Sequence, residues 1–277
     1  MIEIPESQNL ARQINETLTG RKVEAVITNQ SPHKFAWFTG DPQNYESLLA
    51  GKRIIAAAAY GGMVEVQFED MRLVFCDGTN VRYYAPGDEL PKKHQLHVTF
   101  DDCSALVCSV QMYGALWALG AGQTEGYNEC ARSKPNPLSH DFDLNYFQSL
   151  YAESDSKLSA KAYLATKQRI PGLGNGVLQD ILFNARVHPK RKMNTLAEQE
   201  WSSLFSAIKN TLRDMSAKGG RDTEKDLFGN SGSYQTILSA KTAGKPCPVC
   251  GDAIRREAYL GGNIYFCPEC QKLHKEG

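Results

Sequence analysis

The sequence predicts an α+β protein: a β-rich first half behind a leading helix, a helical second half, and a small metal ribbon at the end. Three observations carry this. Short runs of alternating apolar and polar residues dominate the chain before Gln111. The hydrophobic period becomes helical after Lys134-Pro135-Asn136-Pro137. Two Cys-x-x-Cys pairs then stand close together near the end. The 277 residues suit about two domains of roughly 100–200 residues each.

Residues 7–18 read as a helix, because Leu10, Ile14 and Leu18 recur every four positions and Gly20 stops the run. Val64, Val66 and Phe68 alternate with Glu65 and Gln67, the period of a half-buried strand. Further short strands are expected at 22–28, 53–59, 72–75, 81–84, 95–100, 105–110 and 110–114, punctuated by Asp77-Gly78, Pro86-Gly87 and Asp101-Asp102. Their number and spacing suggest a sandwich or barrel-like domain. Downstream, Thr195 and Glu198 read as a capping box. Trp201, Leu204, Phe205, Ile208, Leu212 and Met215 then form one apolar stripe, ended by Gly219-Gly220. The expected divisions are 1–134, 135–240 and 241–277.

No stretch approaches 18 uninterrupted apolar residues, which excludes a transmembrane helix. The start, Met1-Ile2-Glu3-Ile4-Pro5-Glu6, lacks a signal peptide's apolar core, so a cytoplasmic location is expected. Formal net charge is zero but uneven. Residues 1–135 carry 12 basic and 16 acidic side chains; the remainder carry 19 and 15. The later half is the better candidate for phosphate contact. No feature demands an oligomer, so a monomer is expected.

Cys76, Cys103, Cys108 and Cys130 are irregularly spaced and read as buried thiols. Cys247, Cys250, Cys267 and Cys270 differ: each pair sets two thiolates on one tight turn, and 16 residues between the pairs suffice for a β-hairpin. One structural zinc with a closed four-thiolate shell is expected. Two further signals carry chemistry. In Ile170-Pro171-Gly172-Leu173-Gly174-Asn175-Gly176, glycines precede an apolar helical run, and free amides at a helix start attract anions. Glu3 and Glu6 sit beside the terminal amine, and an α-amine, a weaker base than a lysine side chain, is a ready Schiff-base nucleophile.

In this order, these features resemble the formamidopyrimidine-DNA glycosylase and endonuclease VIII family over nearly the whole chain. The resemblance rests on Glu3-Ile4-Pro5-Glu6, the β domain, Pro137-Leu138-Ser139, the glycine–asparagine turn, His188-Pro189, and the ribbon ending Cys270-Gln271. It implies an N-terminal β-sandwich with a leading helix, then a helix–two-turn–helix domain carrying the zinc hairpin. Double-stranded DNA, lesion-bearing DNA included, would lie in the cleft between them. The implied chemistry is base excision and strand cleavage on a flipped nucleotide, with the terminal amine (Met1, or Ile2 after trimming) as nucleophile. Glu3 matches the family's acid–base partner, Glu6 a second acidic residue of that motif, and Asn175 the asparagine that holds phosphate. Gly172 and Gly174 share that turn, and Lys167 and Arg169 just before it are candidate phosphate contacts.

The departures fall on working residues. The family's nucleophile is usually a proline at the second position; here it is Ile2. A bulky second residue favours retention of Met1, moving the amine by up to about 3.8 Å, one Cα spacing. Gly62 stands where the β-domain lysine is expected, and Gly262 where the hairpin arginine is expected. Gln111, Met112 and Tyr113 replace two arginines and a phenylalanine. The expectation is therefore a damaged-DNA-binding protein with a degenerate active site. The alternatives are an active glycosylase and abasic-site lyase, or a protein that holds structured RNA.

Overall fold

The computed structural model describes residues 1–273 and is α+β, as expected. Helix α1 (Ile4–Leu18) leads. It starts a turn before residue 7 because the Glu6 carboxylate accepts the Glu3 amide at 3.2 Å, closing the first turn. Two sheets follow. One runs β1-β7-β8-β6, built from Val23–Thr28, Leu96–Phe100, Ala105–Val110 and Thr79–Tyr84. The other runs β2-β9-β5-β4-β3, built from Ala36–Phe38, Gly114–Gly120, Met71–Phe75, Met63–Gln67 and Ala56–Tyr60. Only the β2–β9 pairing is parallel among them. Short α2 (Tyr45–Leu49) lies between β2 and β3.

The second half is helical: α3 (Gly126–Ser133), α4 (Leu144–Ser149), α5 (Ala160–Ala165), α6 (Asn175–Asn184) and α7 (Glu198–Ala217). Antiparallel β10 (Arg255–Tyr259) and β11 (Gly262–Phe266) form the hairpin between the cysteine pairs. No described helix is long and apolar enough to cross a membrane.

Three expectations are corrected. Residues 110–114 are not a strand. The chain leaves the first sheet after Val110 and joins the second at Gly114, so Gln111, Met112 and Tyr113 form an exposed crossover. The capping box of α7 lies later: Glu200 accepts the Ala197 amide at 2.9 Å, while the Thr195 hydroxyl donates to Lys192 within a 3-10 turn. Of the four irregular cysteines, Cys76 and Cys108 are buried, Cys130 is half-buried and Cys103 is exposed on a turn.

Helix α1 is shared between two cores. Ile2, Leu10, Ile14 and Leu18 pack among the strands, whereas Ile4 packs with α5, α6 and α7. The stripe from Leu204 to Met215 fills the helical core. The chain after α7 then returns to the β side. Leu227 is fully buried among the strands, its carbonyl accepts the Tyr83 amide at 2.8 Å, and its own amide donates to Gln13 Oε1 at 2.9 Å. One leucine thus pins a loop of the helical half into the β core. Leu227→Ala, which empties that socket, is expected to cost about 2–5 kcal/mol in denaturant unfolding; a cost below about 0.5 kcal/mol would show that the socket collapses without loss.

Candidate active site and nucleic-acid cleft

The site is organised by residues that sequence distance hides. Arg221, directly after the Gly219-Gly220 stop of α7, turns a fully buried guanidinium onto α1. Its Nη2 and Nε donate to Glu6 at 2.8 and 3.0 Å, its backbone amide donates to Glu6 at 3.1 Å, and Nη1 lies 3.6 Å from Glu3. Glu3 in turn accepts the amides of Gly176 and Val177 at 2.9 and 2.7 Å. The anion seat expected at the start of α6 is therefore filled by the protein's own carboxylate.

The two carboxylates differ. Burial pushes Glu3 above the usual carboxylate range, and the Arg221 charge and two amides offset this only in part. Burial acts on Glu6 too, but the charge and hydrogen bonds of Arg221 outweigh it and hold Glu6 low.

Glycine permits the two halves to touch backbone to backbone. A Cβ on Gly62 would lie 2.9 Å from the Ile2 carbonyl and 3.3 Å from Gly172 Cα; one on Gly172 would lie 2.1 Å from the Gly62 amide nitrogen. The Ile4 amide donates to the Gly172 carbonyl at 3.1 Å. Gly172 is thus committed to the junction between the halves, and Gly174 packs against Glu3.

Around this junction opens a cleft of about 530 Å³. Met1, Ile2, Glu3, Gly62, Asp77, Met112 and Tyr113 line one side. Lys161, Gly172, Gly174 and Asn175 line the other, with Gly262 and Asn263 at the hairpin. The Met1 amine is bound by the Glu224 carboxylate. Burial raises Asp77, whose Oδ1 has no hydrogen-bond partner among the described residues. Gln111 lies outside this cleft, in an adjoining recess with Met1, Ile2 and Glu6. Asn175 opens α6 and donates to the Asn263 carbonyl at 3.1 Å, tying the turn to the hairpin.

The two cations before the glycine turn behave differently. Arg169 is buried and spent on Asp155, with Nη2–Oδ1 at 2.5 Å, and on the carbonyls of Tyr163 and Thr166. It is not a free phosphate contact, because its guanidinium ties its own loop. Lys167 is exposed, 3.9 Å from the same aspartate. Lys161 on α5, which the sequence reading passed over, reaches the cleft: its Nζ donates to the Tyr259 carbonyl at 2.6 Å and lies 3.6 Å from where a Gly262 Cβ would stand. Arg221, Glu224 and Asp77 were also passed over. Asp77-Gly78 carried a turn signal, and nothing local marked the other two.

The four ribbon thiols lie within 4.8 Å of one another, with Cys247–Cys270 at 3.7 Å and Cys250–Cys267 at 3.4 Å. Those separations suit the edges of a tetrahedron with Zn–S near 2.3 Å, and a four-thiolate shell leaves no open position. The set fits a structural zinc. Gln179 of α6 accepts the Tyr265 amide at 3.0 Å, and Gln271 donates to the Val187 carbonyl at 2.9 Å, so the ribbon is fixed to the turn it faces.

Two outcomes are expected. Arg221→Met is expected to cost about 3–5 kcal/mol at neutral pH, since it strands two buried carboxylates. Without the guanidinium both carboxyls are raised by burial, a contribution present at low pH and lost as pH rises. The deficit against the parent chain therefore narrows as pH falls from neutral toward about 4, where the variant's raised carboxyls protonate, and narrows further below that as the parent's depressed Glu6 protonates, in paired urea titrations; a pH-independent deficit would contradict the ion-pair account. Cys247→Ser is expected to release the zinc by elemental analysis and lower the melting temperature, whereas unchanged zinc content would exclude this ligand set.

A sequence profile for the formamidopyrimidine-DNA glycosylase H2TH domain matches residues 134–225. The formamidopyrimidine-DNA glycosylase of Symbiobacterium thermophilum is 30% identical over 99% of this chain and 90% of its own. That of Bordetella petrii is 29% identical over 98% and 100%. Among solved structures, the Lactococcus lactis Fpg in complex with abasic-site DNA superposes with a TM-score of 0.85 at 23% identity, covering 98% of this chain and all of that one. The MutM (Fpg) protein from Thermus thermophilus gives 0.82 at 24%, covering 99% and 100%. At these identities the superpositions speak to the fold.

Proposed function

The chain belongs to the formamidopyrimidine-DNA glycosylase and endonuclease VIII family, and from that premise we propose that it binds damaged double-stranded DNA in the cleft while its excision chemistry is crippled. One observation carries the reading: the terminal amine, the family's nucleophile, lies in the cleft bound to the Glu224 carboxylate. An amine held in an ion pair presents no lone pair to a sugar carbon until that pair opens.

The surroundings support it. Ile2 is buried among the strands, so the first residue is anchored by a side chain rather than by a proline ring. At Gly62 the missing lysine is replaced by a backbone contact that leaves no room for a Cβ. Fewer cations face a polyanion, and each lost phosphate contact removes about one unit of salt slope. Lys161, beside Gly262, and Asn175 are the phosphate-binding candidates on the helical side; Met112 and Tyr113, exposed at the rim opposite, are the candidates to press into a base stack.

An active glycosylase and lyase is the second reading, favoured by the amine, Glu3 and Lys161 lining the same cleft. Intact-mass measurement is expected to show Met1 retained; a chain one methionine shorter would present the Ile2 amine and favour that second reading. Anisotropy titrations with a duplex bearing an abasic-site analogue are expected to give binding with a shallow log–log salt slope of about −2 to −3. Duplexes with oxidised bases, at protein excess, are expected to release no base. Base release in a single turnover would overturn the proposal.

A further inference from the structure

Beside the cleft lies a surface that none of the above uses. Strand β2 is an edge strand, bonded only to β9. It carries Trp37, and the turn that leads into it, closed by the Ala36 amide on the His33 carbonyl at 3.0 Å, carries His33 and Phe35. Successive ring centroids are 6.3 Å apart at both steps, tilted by 62° and 57°. The rings do not stack on one another. Phe35 and Trp37 are 46% and 51% exposed, although aromatic rings this large dominate the energetics of cores and interfaces.

The surroundings are basic. Lys34 lies over the Phe35 ring at 5.4 Å. The segment 91–97, which carries Lys92 and Lys93, is laced to 29–31 by the Asn29 amide on the Gln95 carbonyl (2.8 Å) and the Ser31 amide on the His94 carbonyl (3.1 Å). Residues 29–39 and 91–97 together hold three lysines and three histidines and no carboxylate. The three lysines are exposed and make no ion pair among the described residues. Finally, the Phe35 carbonyl accepts the Gly114 amide at 2.9 Å, directly after Tyr113 on the cleft rim. The backbone that carries the ladder thus adjoins the cleft rim.

Resting on the reading of the cleft as a DNA site, we propose that this ladder is a stacking platform for unpaired nucleotides of a strand leaving the cleft. Exposed aromatic rings take bases of any sequence, and unopposed lysines take the backbone. A membrane surface or a protein partner explains the apolar rings but not their place beside the cleft rim.

The test compares an abasic-analogue duplex with blunt ends against the same duplex carrying a short oligothymidine tail. The tailed duplex is expected to bind about tenfold tighter. Phe35→Ala with Trp37→Ala is expected to abolish that preference while leaving blunt-duplex affinity unchanged, measured below the melting temperature of the variant. Equal affinity for the two duplexes, or a preference that survives the double substitution, would overturn the proposal. Labelled oligothymidine alone, measured alongside, reads the ladder independently: binding lost in the double variant supports it even if no duplex binds, which would sink only the cleft reading. No binding of the oligothymidine to the parent chain, or binding to anionic phospholipid vesicles in its place, rejects the platform.

Discussion

The buried guanidinium of Arg221 is the contact on which the remaining geometry depends. It draws the chain after α7 onto the first turn of α1 and neutralises Glu6. It also stands beside Glu3, whose carboxylate caps α6. Three segments far apart in sequence converge on one charge cluster with almost no solvent. Removing the guanidinium leaves two uncompensated carboxylates in a low-dielectric interior, so the cluster fixes geometry strongly whatever its net contribution to stability. The position of the terminal amine follows, because Met1 precedes Glu3 by two residues and Glu224 follows Arg221 by three.

The cleft is the gap left by this construction. Two glycine turns meet with no side chain between them, so the β side and the helical side approach as closely as backbones can. On the far wall, α6 serves three partners: its first amides bind Glu3, Gln179 holds the zinc hairpin, and Asp180 accepts the Ile237 and Leu238 amides. The helix that faces the proposed DNA path is thereby rigid. The family fold is kept, and Gly62, Gly262 and the 111–113 crossover carry no cation; the proposed loss of excision chemistry rests on these positions and on the bound amine.

Much of this was legible in the sequence. The zinc ribbon followed from spacing alone, since thiolate pairs on tight turns have few other uses. The stripe of α7 and most strands followed from periodicity. Other features were hidden for physical reasons. The 110–114 segment reads as a strand because its residues suit one, yet a chain that changes sheets must break pairing there. Arg169 looked like a phosphate contact because a cation before a glycine turn is one in isolation; Asp155, fourteen residues earlier, claims it. Arg221 and Glu224 carry no local motif, and their roles exist only once α1 is folded against them. The short helices α3, α4 and α5 are too brief to show a period.

The central claim is that the amine in the cleft is held away from chemistry. Borohydride trapping on abasic-site duplex measures this most directly, because reduction fixes any Schiff base between the amine and the sugar. No covalent adduct above that of a Glu3→Gln control is expected from the parent chain, and Glu224→Gln, which releases the amine, is expected to raise the signal. A strong Glu3-dependent adduct with the parent chain, unchanged by Glu224→Gln, would contradict the account.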